Sequence, residues 1–226
     1  MRKGRKRFII TLIIVAVIAV LGFAGYQLFR LPDLLRSTKD NSLGETEVNA
    51  LVEQIREKDN VKVLVAYYSY SGTTRATAQR IQEYTSADLF EITRQEEYEN
   101  VYLGSNSEIR KGTRPPMGSN VQDITQYDVV FVGYPVWWHA TPPVINTFIE
   151  SNDLKGKLVI PFCTSSETDI EDTMKTFFDS CDGLAVYGAR RFASGEDVKS
   201  WIDELNIIKS RRGGYENGKE QKNERE

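Results

Sequence analysis

Val63-Leu64-Val65-Ala66-Tyr67-Tyr68-Ser69-Tyr70-Ser71-Gly72-Thr73-Thr74 decides how this chain is read. The stretch 61–67 is rich in β-branched residues, as a strand buried on both faces requires. Residues 73–84 then follow a helical pattern. Between them lies a short turn crowded with hydroxyls. A strand, a tight turn and a helix in that order gather Ser and Thr side chains and free backbone N–H groups at a helix N-terminus, which is a sound site for a phosphate. The turn lacks the Gly-Lys-Ser/Thr ending of a nucleotide P-loop and the three glycines of a dinucleotide fingerprint.

Outward from this turn the pattern alternates. Strands are expected over 87–92, 128–133, 158–163 and 184–187, and helices over 142–150, 170–178 and 197–207. Such alternation predicts an α/β fold with a five-stranded parallel sheet and helices on both faces, a three-layer arrangement. Residues 93–127 are the least regular part. A crossover helix is expected there, over about 96–111. In open parallel sheets ligands sit beyond the carboxyl ends of the strands, a rule that brings three loops together: 69–74, 134–141 and 164–168.

The remainder of the chain sets the domain organisation. Arg2, Lys3, Arg5, Lys6 and Arg7 precede an uncharged run, 8–29, which as a helix would be roughly 33 Å long, enough for a hydrocarbon core of about 30 Å. Residues 1–29 are therefore expected to be a basic N-terminus and one transmembrane anchor. The positive-inside rule puts the N-terminus in the cytoplasm and the rest on the extracytoplasmic side of the cell membrane. The competing reading is a cleaved signal peptide ending near Gly22-Phe23-Ala24, which exports the same chain. Residues 30–60 are expected to be a stalk or linker with a short helix, since Val48, Leu51, Val52 and Ile55 recur at helical spacing. Residues 61–208 form the soluble domain. Residues 209–226, polar and charged, are expected to be a disordered tail. The net charge of −3 gives no nucleic-acid footprint. A single histidine, His139, excludes metal and triad chemistry that needs several. Cys163 and Cys181 fall at opposite edges of the expected sheet, too far apart for a disulfide.

The three loops carry a resemblance. Ser69, Ser71, Gly72 and Thr74 match, position by position, the Ser/Thr-x-Ser/Thr-Gly-x-Thr loop with which flavodoxins hold the phosphate of FMN. Residues 61–208 thus resemble a flavodoxin, of the branch with a Trp-Trp pair after the third strand. The resemblance implies sheet order 2-1-3-4-5 and FMN as cofactor. It implies that Ser69, Ser71, Gly72, Thr73 and Thr74 hold the phosphate. Pro135, Val136, Trp137 and Trp138 would line the ring, and Thr164 and Ser165 would contact its polar edge. The chain departs from the family after Phe162-Cys163-Thr164, where Ser165-Ser166-Glu167-Thr168-Asp169 replaces a glycine-rich stretch. The implied function is electron transfer through bound flavin, with a redox protein or a membrane quinone as partner. The alternatives are an FMN-dependent quinone or NAD(P)H oxidoreductase and an interaction module that has lost tight flavin binding.

Overall fold

Three strands carry the centre of the molecule: β1 (Val63–Tyr67), β3 (Val129–Pro135) and β4 (Leu158–Thr164), with every β1 and β4 residue buried. They are apolar without interruption because helices cover both faces of the sheet. The computed structural model describes residues 2–34, 36 and 38–208, so the charged tail expected over 209–226 lies outside the described residues. The edge strand β2 (Asp88–Glu91) pairs with β1 in parallel, and the sheet order is β2-β1-β3-β4-β5. The expected order 2-1-3-4-5 is therefore the observed one.

The fifth position differs in detail from the single strand expected over 184–187. It is filled by two short pieces, β5 (Ala185–Val186) and β6 (Arg190–Phe192), both parallel to β4. Gly188 lies between them at φ +61°, where its carbonyl accepts from Trp201 Nε1 instead of continuing the ladder. A left-handed residue cannot continue an extended strand, and glycine takes that conformation without steric cost.

Side chains alternate between the two faces. Val63, Val65, Phe131, Ile160 and Phe162 point to a core closed by α3 (Thr73–Thr85) and α7 (Lys199–Leu205). Leu64, Ala66, Val130, Val132 and Tyr134 point to a second core, closed by α5 (Pro143–Ser151) and α6 (Ile170–Phe178). The crossover helix of the irregular segment is α4 (Val101–Lys111). It starts later than the expected 96 because the Asn100 side chain caps it, accepting from Leu103 N–H at 3.1 Å. Cys163 and Cys181 are free thiols buried in the second core.

The first sixty residues bear directly on the site. α1 (Arg2–Arg30) contains a segment, Lys6–Arg30, long and apolar enough to cross a membrane, and none of its most apolar window is buried in the protein. The connecting segment 30–60 carries the expected short helix, α2 (Glu45–Arg56), and this helix lies on the domain with Val48, Val52 and Ile55 in the first core. The end of α1 is docked as well. Asn106 Nδ2 donates to the Phe29 carbonyl at 2.6 Å, Lys175 pairs with Asp33 at 3.2 Å, and Arg36 pairs with Asp179. These contacts fasten the exit of α1 along α4 and α6.

Candidate functional site

The first loop leaves β1 at Tyr67 and enters α3 through Gly72, which sits at φ +92°. No heavy atom lies within 4 Å of where its Cβ would be, so the space in front of the turn is open. The Ser69 hydroxyl accepts from the N–H groups of Gly72 and Arg75, each at 3.2 Å, and holds the turn closed. Ser71 and Thr73 hydroxyls lie 3.3 Å apart. The N–H groups of Thr73 and Thr74 belong to the orphan donors of the first helical turn, and no acceptor among the described residues is bonded to them. The helix dipole adds partial positive charge at the same point. Arg75, the nearest cation in sequence, is turned aside into a pair with Glu91 at 2.5 Å.

The second and third loops are tied to the first. Thr74 Oγ1, almost fully buried, lies 2.8 Å from Thr164 Oγ1 at the end of β4. Val136 N–H donates to the Thr164 carbonyl at 3.2 Å, and Pro135 is in register with Thr164. The Trp137 ring meets Tyr68 and Tyr70 edge-on, with centroids 5.5 and 5.9 Å away. The three loops therefore form one joined cluster at the carboxyl ends of β1, β3 and β4.

Trp137 and Trp138 differ in their surroundings. The turn from Trp137 to Ala140 closes with two reciprocal backbone hydrogen bonds, 3.1 and 2.8 Å long. Its central residues, Trp138 and His139, are left-handed, at φ +53° and +58°. Each costs roughly 1–2 kcal/mol in a residue with a Cβ. Trp138 offsets this strain by donating Nε1 to Ser105 Oγ at 3.0 Å and by packing edge-on against Phe29 and Tyr102. Strain of this kind concentrates at functional sites. Trp137, by contrast, keeps one side on a cavity of ≈ 350 Å³ that also touches Tyr70, Val101, Tyr102, Ser105 and Trp138. That volume falls within the range of small-molecule sites.

Behind Trp137 lies a polar bracket. Arg94 holds Glu108 at 2.8 Å and lies 3.8 Å over the Tyr98 ring, whose hydroxyl donates to Glu108. Tyr98 in turn meets Trp137 at 5.7 Å. Burial pushes the Tyr68 hydroxyl up to about 12, and burial together with the Glu108 carboxylate pushes Tyr98 up too. Both tyrosines pack edge-on against Trp137 and support it from behind.

The third loop is more committed to its own structure. The Ser165 hydroxyl accepts from Glu167 and Thr168 N–H at 3.2 and 2.9 Å, and its carbonyl accepts from Arg191 at 3.0 Å. Asp169 pairs with Arg191 at 3.1 Å, while both added carboxylates, Glu167 and Asp169, stay exposed to solvent. Glu91 and Arg190 are engaged in surface pairs with Arg75 and Glu204. Sequence reasoning missed Tyr70, Tyr98, Tyr102 and Ser105 as site residues. The tyrosine density of 98–102 was the available signal. The approach of Phe29 to Trp138 has no local signal, because the two are more than a hundred residues apart.

The family model for flavodoxin matches residues 62–205. The chain belongs to the flavodoxin family. Solved relatives agree with this flavodoxin assignment. A Bacteroides eggerthii protein classed as a flavoprotein is 35% identical, covers 66% of this chain and 98% of its own, and superposes with a TM-score of 0.60. A flavoprotein from Lactobacillus acidophilus, solved in complex with FMN, is 27% identical over 65% of this chain and 99% of its own, with a TM-score of 0.56. No curated protein sequence matches the chain.

Proposed function

We propose that this flavodoxin-family protein binds FMN at the junction of its three loops and transfers electrons through it while anchored to the cell membrane by α1. The observation that carries the proposal is the joining of the hydroxyl-rich helix N-terminus to the Trp loop through Thr74, Thr164 and Val136. The donor set fits the phosphate of FMN. Thr73 and Thr74 offer free N–H groups, Ser69 and Ser71 offer hydroxyls, and Gly72 leaves the approach clear. Thr74 and Thr164 share one hydrogen bond, so one of their two hydroxyl protons stays free to donate.

Trp137, with Pro135 and Val136 along the same loop, would form the wall of the ring, and Trp138 would brace that wall through Ser105. Thr164 and Ser165 would meet the polar edge. Bound FMN supplies one- and two-electron chemistry, and the protein sets its potential and access. The basic cluster before the apolar run supports a cytoplasmic N-terminus and an extracytoplasmic domain. A redox protein or a membrane quinone is the expected partner. The turned-in Ser165 hydroxyl favours a second reading, a module whose grip on the pyrimidine end is weak.

The test is an absorption spectrum of the purified full chain before and after FMN loading and desalting. Retained flavin bands support the proposal, and their loss from a folded protein supports the second reading. Protease added to intact cells tests the topology: the domain is cleaved if it faces outward and protected if it does not.

A further inference from the structure

A second cavity, ≈ 450 Å³, lies between the last turn of α1 and the Trp loop. Tyr26, Phe29 and Arg30 form its α1 side, and Val136, Trp138 and His139 form the other. It shares Val136 and Trp138 with the cavity beside Trp137, so the two spaces are separated by a single layer of side chains. Three of its walls are aromatic. Arg30 and His139 meet across it, with Arg30 Nη2 3.5 Å from His139 Nε2; Thr168 also lines it, and His139 Nδ1 lies 3.7 Å from Asp172 outside the lining.

We propose that this cavity is the binding site for the head ring of a membrane-dissolved quinone. This rests on the membrane-anchored flavin reading above and names the partner for it. Three observations choose the occupant. The cavity opens at the end of the apolar helix, because Arg30 is the last residue of α1, Phe29 precedes it and Tyr26 is about one turn inside. A ligand that reaches it along α1 comes from the lipid phase. The aromatic residues Tyr26, Phe29 and Trp138 suit a flat ring. The Arg30–His139 pair suits ring oxygens in either oxidation state, since guanidinium only donates, to a carbonyl, while imidazole can donate or accept from a hydroxyl. The exposed Tyr102 of α4, edge-on to Trp138, and the exposed Leu103 that follows it add aromatic and apolar surface on α4 that suits an interfacial position.

The test uses the full chain in phosphatidylcholine nanodiscs, without FMN, titrated with a decyl-substituted 1,4-benzoquinone. The readout is quenching of tryptophan fluorescence, divided into a linear part from partition into lipid and a saturable part from a site. A saturable part is expected. Arg30→Ala is expected to weaken it about tenfold or more, as loss of a hydrogen bond to a charged group does, and His139→Ala about threefold or more, with FMN affinity of the Arg30→Ala protein unchanged. A purely linear response in the parent, or an undiminished saturable part in both variants, overturns the proposal. Abolition of the saturable part by phosphatidylglycerol in the disc also overturns it, in favour of an anionic lipid headgroup. FMN titration is separate: failure there with quinone saturation intact defeats the flavin reading alone.

Discussion

Gly72→Asp is the sharpest perturbation of the phosphate site, because its effects on fold and on ligand separate. Gly72 sits at φ +92°, and an added Cβ meets no heavy atom within 4 Å. The cost to the free protein is therefore conformational, roughly 1–2 kcal/mol for a residue with a Cβ. For a domain of this size that lowers Tm by roughly 2–8 °C. The cost to FMN is larger. Two unit charges about 4 Å apart repel by roughly 4 kcal/mol at an effective dielectric of about 20, or about a thousandfold in affinity. Gly72→Ala carries the strain without the charge and is expected to lose no more than about tenfold. The assay is quenching of FMN fluorescence on titration with apoprotein, alongside thermal unfolding of each variant. Gly72→Asp binding FMN within threefold of the parent would refute the assignment of this loop to the phosphate.

Thr74→Val strands the buried Thr164 hydroxyl and is expected to cost about 1–3 kcal/mol in urea unfolding, with Thr74→Ser nearly neutral; an unchanged midpoint would show that the 2.8 Å contact contributes nothing. Trp137→Ala combined with Trp138→Ala is expected to weaken FMN binding and shift the visible flavin bands while the far-ultraviolet circular dichroism stays native, and an unaffected holoprotein spectrum would remove the ring wall from the account. Burial pushes the Cys163 thiol up to about 12 and Cys181 up too, so neither should react with iodoacetamide at pH 8 until the protein is unfolded; rapid labelling of the native chain contradicts this. Burial works against the Asp128 carboxylate, but donation from Lys58 at 2.5 Å and Lys62 N–H at 2.8 Å outweighs it and lowers its pKa. A pKa lowered by folding stabilises above the unfolded value of about 3.9 and is lost as pH falls through the folded one. Asp128→Asn should therefore flatten the stability curve below about pH 4, and an unchanged acid slope would refute the pairing.

The sheet and the three loops were legible because their signals are local. The strand over 63–67 is a continuous apolar run, Gly72 ends it with hydroxyls on either side, and the adjacent tryptophans mark a loop rather than a core. The helix over 101–111 was harder to place, since residues 93–127 carry little regular periodicity. The capping Asn100 sits in plain view, but Arg94 and Tyr98 use the preceding residues to build the bracket around Glu108. The broken edge at Gly188 depends on Trp201, thirteen residues on. The approach of Phe29 and Arg30 to Trp138 and His139 is set by docking of whole elements, which no periodicity encodes.

FMN and riboflavin share a ring and differ by the phosphate, so their relative affinities report on the first loop alone. Full-length apoprotein, titrated with each under the same conditions, should bind FMN about a hundredfold or more tightly. Two or more hydrogen bonds to a charged phosphate, at about 1.5 kcal/mol or more each, account for that ratio. Equal affinity for the two flavins, or binding of neither by a folded chain, would contradict a phosphate held by Ser69 to Thr74 beside a ring walled by Trp137.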